Sequence, residues 1–305
     1  MRNISIWIKA ARAPFFTATI IPVSVGTLLA WHAAGVFLWA RFALAMAGAI
    51  LVHAGTNLAN DYFDHRSGND EANRNPTPFS GGSRMIQNGL IPAKNILAAS
   101  LLTFGAGALI GLYLNSILKG NVVLFLGVIG VFLGFFYTAG PVSIGYRSFG
   151  EIAVGVGFGP LMVLGAYYVQ AEHLTLPVFF VSVPIGLLIA LVVFINEFPD
   201  YDADKSVGKK TVVVLLGKKR AITLYRALLG SVYICIAALI ALKALPLICG
   251  IVFLTIPLAI KAFVVSRNNY EKIYELLPAN AATIGLHSLI GILIGVGVIL
   301  DRVLF

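Results

Sequence analysis

Two short acidic stretches hold the densest concentration of chemically useful side chains in this sequence. One reads Asn57-Leu-Ala-Asn60-Asp61-Tyr62-Phe63-Asp64, the other Asn196-Glu197-Phe-Pro-Asp200-Tyr201-Asp202-Ala-Asp204. Aligned on Asn57 and Asn196, both read Asn-x-x-x-Asp-Tyr, and Ser67 and Ser206 stand at matching positions further on. On a helix, Asn57, Asp61 and Asp64 fall at i, i+4 and i+7, on one face. Asn196, Asp200 and Asp204 fall at i, i+4 and i+8, with Pro199 a source of distortion between them. Like charges stacked this way repel, and beside hydrocarbon they are costly. Bound cations offset both terms. Clustered carboxylates are hard oxygen donors suited to Mg2+, which keeps some waters and completes its shell with substrate phosphate. The candidate metal ligands are therefore Asn57, Asp61, Asp64, Asp200 and Asp204, with Asn60 and Asn196 beside them. One such motif reads equally well as a solvated helix end; two matching motifs call for a common cause.

The cations nearby supply the other half of a phosphate site. Arg66, Arg84, Lys205, Lys209 and Lys210 flank the acids and could hold diphosphate oxygens that a metal leaves free. Each taken alone also reads as an ordinary loop cation. Arg84 lies in Phe79-Ser-Gly-Gly-Ser-Arg-Met-Ile-Gln, where Gly81 and Gly82 permit close backbone approach. Arg147 is the only basic residue in its loop. His53 and His287 sit inside apolar runs, where ordinary interhelical hydrogen bonds are expected.

The elements that must position these groups are membrane helices. Of 305 residues, 59% are hydrophobic and 11% charged, with mean hydropathy +0.91. A soluble domain carries about 25% charged residues, because its surface faces water. Here most of the surface must face lipid. Apolar runs at about 14–34, 38–60, 95–115, 121–138, 149–170, 175–197, 220–242, 246–266 and 280–300 predict an all-α polytopic bundle of about nine transmembrane helices, with two related halves. The whole chain, 1–305, reads as one domain. Two long polar loops, 61–94 and 198–219, follow the second and sixth spans, and both acidic motifs reach into them.

Charge then orients the bundle. If the N-terminus is cytoplasmic, only Arg41, Lys119, Lys243 and Arg302 of the 22 lysines and arginines fall on the opposite side. The positive-inside rule thus predicts a cytoplasmic N-terminus, cytoplasmic active-site loops and, with nine spans, an external C-terminus. It also accounts for the net charge of +9, so no nucleic-acid partner is expected. Cys235 and Cys249 lie in apolar runs without metal-ligand spacing.

At these residues the sequence resembles the UbiA superfamily of intramembrane prenyltransferases. That family carries an Asn-Asp-x-x-Asp motif after its second helix and an Asp-x-x-x-Asp motif after its sixth, matched by Asn60-Asp61-Tyr-Phe-Asp64 and Asp200-Tyr-Asp-Ala-Asp204. Nine helices is its architecture. Phe79 to Gln87, Phe136-Tyr-Thr-Ala-Gly-Pro141, Gly159 to Tyr168 and Asn196 to Lys205 look most like the 1,4-dihydroxy-2-naphthoate polyprenyltransferases of menaquinone synthesis. The resemblance implies a central cavity under the cytoplasmic loops, with Asp61, Asp64, Asp200, Asp204 and Tyr137 in catalysis. It implies two Mg2+ ions bridging a polyprenyl diphosphate, and an aromatic acceptor that attacks the allylic cation. Phe132, Phe135 and Phe136 could shield that cation, but filling a helix surface is their simpler role. Two departures stand out. Gly68 stands where many members carry a further Asp, with Asp70 the candidate to compensate and Asp202 a separate candidate for the metal site, and a lysine often found near Pro141-Val142 is missing, with Arg147 the substitute candidate.

Alternative acceptors within the same family are 4-hydroxybenzoate, haem and geranylgeranylglyceryl phosphate. A cation-coupled transporter would also hold intramembrane acids and repeated halves, but such sites lie near the bilayer midplane, whereas these acids lie at helix ends. A phosphatidyl-group transferase would carry Asp-Gly-x-x-Ala-Arg, which is absent from the chain.

Overall fold

The computed structural model describes residues 2–305, with side-chain environments from Ile4 onward, so the Arg2 side chain lies outside the described set. A short helix α1 (Arg2–Ala10) and a single turn (Ala13–Phe16) lead into α2 (Thr17–Ala34) and α3 (Trp39–Ser67). Then follow α4 (Asn69–Ala72), α5 (Ala93–Ile117), α6 (Val122–Phe135), α7 (Gly150–Val156) and α8 (Met162–Ala171). The chain ends with α9 (Leu176–Ser206), α10 (Val212–Leu216), α11 (Lys218–Ala241), a turn-rich stretch (Leu247–Thr255) into α12 (Ile256–Asn269), and α13 (Ile273–Leu304). Taking α7 with α8 and Leu247–Thr255 with α12, eight of these segments are long and apolar enough to cross a bilayer, and α6 is a shorter apolar ninth. The protein is an integral membrane protein of all-α architecture, and each expected span has its helix. Even the narrow break near Lys243 to Pro246 separates α11 from the next segment.

Length places the acids. At 1.5 Å per residue, the 29 residues of α3 and 31 of α9 run roughly 44 and 46 Å, beyond the ~30 Å hydrocarbon core. Their acidic C-terminal turns therefore project past the lipid. The sequence reading began the polar loops at 61 and 198; the helices instead continue to Ser67 and Ser206, so the motifs are held on rigid helical faces.

Pro199 does not break α9. It lacks an N–H for the carbonyl of Ile195, four residues back. Asn280 of α13 donates to that carbonyl at 3.1 Å and to Asn196 Oδ1 at 2.8 Å. A neighbouring helix satisfies what proline removed. The largest buried cluster joins α9, α11 and α13 with α2 and α8, through Val163, Tyr167, Ile185, Leu188, Tyr225 and Leu286 among others. Between α9 and the α7–α8 segment the backbones nearly touch: a Cβ on Gly159 would meet Gly186 Cα at 2.6 Å. Small residues permit this approach, which dispersion forces reward in lipid.

Candidate active site

The bundle is hollow. A cavity of about 420 Å³ lies among α3, α5, α6, the α7–α8 segment and α9, apolar below and polar at its mouth. Asp64, Asp200 and Asp204 line the mouth together with Asn57, Asn60, Asn196, Tyr137 and Lys209. Two helices that end alike thus bring together groups separated by well over a hundred residues.

Each acid is held differently. Asp64 accepts from Tyr146 Oη at 2.7 Å and from Asn60 Nδ2 at 2.9 Å. Asp200 accepts from Asn73 Nδ2 at 2.7 Å and from the Gly81 N–H at 3.3 Å. Asp204 accepts from Asn69 Nδ2 at 3.0 Å and lies 3.3 Å from Lys209 Nζ, while its Oδ2 is buried with no partner among the described residues. Asp61 departs from expectation. Its carboxylate does not line the cavity; it pairs with Arg12 and accepts from the Ser83 hydroxyl and, at 3.2 Å, from the Ser83 N–H. Asp70, by contrast, does line the cavity, whereas Asp202 is exposed.

The asparagines support the helix ends. Asn57 donates to the Ala11 carbonyl at 2.9 Å, and Asn60 Oδ1 accepts from Arg12 at 3.0 Å. The glycine pair also has a specific role. Gly81 and Gly82 have φ of +80° and +76°, a region open chiefly to glycine. A Cβ on Gly82 would meet Asp70 Oδ2 at 2.7 Å, so the loop passes over Asp70 only because no side chain is there.

The cations separate sharply. Lys209 lines the cavity and stacks over the Tyr146 ring at 5.3 Å. Burial opposes its charge, but Asp204 and Asp64 outweigh that and hold its pKa well above the ordinary lysine value. The other candidates do not reach the cavity. Lys205 is exposed and lies 5.7 Å from the Tyr201 ring centre, and Lys210 is exposed. Arg66 is exposed beside a separate small pocket, and Arg147 is exposed and donates to the Pro141 carbonyl at 2.8 Å. Arg84 spends its guanidinium on the Asp70 carbonyl. As expected of surface filling, Phe135 packs on Phe63 and Phe104, and Phe132 is 45% exposed.

Sequence reasoning missed Arg12, Asn69, Asn73, Glu197 and Tyr146. Arg12 reaches Asp61 across 49 positions, and nothing local marks it apart from its place just before the first span. Asn69 and Asn73, at i and i+4 in a stretch read as loop, had a detectable helical spacing. His53 bonds Thr19 across helices at 2.7 Å, as expected, yet it also lines the cavity. His287 does not follow the expectation: its buried Nε2 has no partner among the described residues.

Among the described residues, no three His, Cys, Asp or Glu side chains converge to enclose a metal. The donor set nevertheless fits Mg2+ that is completed by substrate. Buried Asp204 Oδ2, Asn69 Oδ1 and Glu197 Oε2 lack partners, and all three residues line the cavity. Burial, then Asp64 and Asp61, push the Asp70 carboxyl up to about 8, a sign of negative charge awaiting a cation.

Comparison with known proteins agrees with this geometry. Relatives include a 1,4-dihydroxy-2-naphthoate octaprenyltransferase of Bacillus subtilis, 29% identical over 96% of this chain and 92% of that protein. Proteins of the same name from Mycobacterium tuberculosis and Escherichia coli are each 34% identical, over 75% and 76% of this chain and 76% and 75% of theirs. The fold recurs in a UbiA homolog from Aeropyrum pernix, with TM-score 0.67 and 20% identity over 93% of this chain and 97% of that one. It recurs in a homolog from Archaeoglobus fulgidus solved with GPP and Mg2+, with TM-score 0.60 and 13% identity over 95% and 99%. The sequence profile described as the UbiA prenyltransferase family matches residues 19–284, from inside the first membrane helix to the middle of the last. The protein belongs to the UbiA prenyltransferase family.

Proposed function

We propose that this enzyme transfers a prenyl group from a polyprenyl diphosphate to 1,4-dihydroxy-2-naphthoate, in menaquinone synthesis. The observation that carries the reading is the position of Asp64, Asp200, Asp204 and Lys209 at the polar mouth of a deep apolar cavity. The diphosphate belongs at the mouth and the hydrocarbon tail in the cavity. The names of the relatives support naphthoate as the acceptor. A dihydroxylated ring is electron-rich enough to trap an allylic cation.

Asp64, Asp200 and Asp204, with Asn57 and Asp70, are assigned to Mg2+, two ions in the family pattern, and Asp61 to the same cluster through Arg12. Mg2+ when bound neutralises diphosphate charge and so stabilises it as a leaving group. Lys209 adds a fixed positive charge on the same side. The allylic C–O bond breaks with its electron pair leaving on the diphosphate, a ring carbon of the acceptor forms the new C–C bond, and aromaticity returns as that carbon sheds its proton to solvent or its carboxylate as CO2. The apolar walls keep water from the cation. Tyr137 lines the cavity as a phenol whose pKa burial and Glu197 push well above its ordinary value, so it stays a neutral donor. In this reading the C-terminal turns of α3 and α9, with the loops that follow them within 61–94 and 198–219, make up the catalytic surface of a single domain.

In purified protein supplied with a labelled prenyl diphosphate, transfer is expected to require divalent metal and to stop in excess chelator. At equal prenyl diphosphate, naphthoate should outcompete 4-hydroxybenzoate and geranylgeranylglyceryl phosphate. Prenylation of either of those without the naphthoate would end the acceptor assignment.

The inner-face charge bias supports a cytoplasmic N-terminus and active-site mouth, with the C-terminus outside. Cysteine-labelling at both ends is expected to report opposite sides. Termini on one side would mean that one segment, with α6 the first suspect at 14 residues, fails to cross.

A further inference from the structure

Below the acidic mouth, one polar group remains unexplained by the diphosphate chemistry. His53 lies eight residues before Asp61 on α3, about 12 Å deeper along the helix. It is 5% exposed and lines the cavity. Thr19 Oγ1 holds its Nδ1 at 2.7 Å, which fixes the ring, and no described residue bonds its Nε2. Phe158 and Phe16 stand edge-to-face to the imidazole, at centroid distances of 4.8 and 5.3 Å. Arg12, whose buried Nε lacks a partner among the described residues, lines the same cavity.

A polar nitrogen facing hydrocarbon at this depth is costly unless something bonds it. An isoprenoid tail offers no such partner. The α5 and α6 wall has the opposite character, with Ile110, Gly111, Leu126 and Gly127 presenting no polar side chain. That wall suits the tail; the His53 wall suits a planar ring bearing an oxygen, because aromatic edges and faces pack favourably around such a ring.

We propose that His53 Nε2 hydrogen-bonds an oxygen substituent of the aromatic acceptor, with Phe158 packing on the acceptor ring and Thr19 fixing the imidazole. This rests on the aromatic-acceptor reading above and adds the residue that recognises the ring. His53 is then an acceptor-binding residue, separate from the groups that hold the diphosphate.

The test is a split of Michaelis constants in full-length enzyme in nanodiscs, with the prenyl diphosphate and the aromatic acceptor varied in turn. His53→Leu is expected to raise the acceptor KM about tenfold, the scale of one lost buried hydrogen bond, and to leave the prenyl diphosphate KM within about twofold. His53→Gln, which can still present a polar group, should recover most of the loss. Equal rises in both constants, or no rise in either, overturn the proposal. If His53→Leu does not fold, Thr19→Val and Phe158→Leu carry the test: each should raise the acceptor KM alone, and unchanged constants in both overturn it. A wild-type enzyme that prenylates another aromatic overturns only the naphthoate assignment, since the split is then read with that ring. A wild-type enzyme that prenylates no aromatic ring ends the aromatic-acceptor reading and this inference together.

Discussion

Asp204→Asn is expected to lower prenyl transfer by about a thousandfold, with the protein still inserting and folding. The substitution keeps size and one acceptor oxygen, so Asn69 retains its 3.0 Å partner. What it removes is charge at the one motif aspartate whose second oxygen, among the described residues, is buried and unpartnered. That oxygen has no structural task among the described residues, so its loss should appear in metal-dependent turnover. Asp64→Asn and Asp200→Asn should fall in the same range. Melting temperature is expected to change little, because relief of like-charge repulsion offsets, at Asp204, the weakened pair with Lys209. Asp61→Asn should behave differently. Its carboxylate is 3% exposed and pairs with Arg12, so the variant leaves a largely buried guanidinium short of its counter-charge. A lower melting temperature should accompany its loss of activity. Activity within tenfold of wild type for Asp204→Asn, at saturating Mg2+ and both substrates, would refute the ligand assignment.

The contrast between Asp204 and Asp61 shows where sequence reading stops. In the paired motifs Asp61 matches Asp200, with Asp204 one turn further on, and helical spacing put all three on the acidic faces of α3 and α9. Spacing carries the face of a helix but not what another segment brings to it. Arg12 and Ser83 approach Asp61 from outside its helix, and no local pattern encodes that approach. The same limit explains the asparagine supports. Asn69 and Asn73 look like loop residues until α4 turns them toward α9. By contrast, the order of the membrane helices and the breaks between them were legible, because lipid imposes a strong and local rule on composition. The helix ends were less so: polarity ends an apolar run, but α3 and α9 continue as polar helices to Ser67 and Ser206. Pro199 misled for a related reason. Its disruption is real at the level of one carbonyl and is repaired by Asn280, 85 residues from the carbonyl it bonds.

Lys209→Met is expected to raise the prenyl diphosphate KM and lower kcat/KM by between about tenfold and a hundredfold, the range for losing one charge-assisted bond. Arg66, Arg84, Lys205, Lys209 and Lys210 were candidates by sequence, with Arg84 favoured by its glycine pair and Arg147 added from another loop; burial and bonding separate them, and Arg84 is taken by the Asp70 carbonyl. The Lys209 side chain is 13% exposed, lies 3.3 Å from Asp204 and lines the cavity. Lys205, Lys210, Arg66 and Arg147 are exposed, where water and salt screen a charge and ion pairs contribute little. Their methionine variants should stay within about threefold of wild type. Lys209 neutralises Asp204, and a diphosphate arriving with its metal would offer it a second anion. Lys209→Arg should recover part of the loss, since charge persists while the broader guanidinium fits a buried slot less well. The acceptor KM should not change in any of these variants, because Lys209 sits at the mouth and the ring is assigned deeper, beside His53. If Lys209→Met raised both constants equally, or the exposed lysines mattered as much, the diphosphate would have to lie outside the cavity mouth.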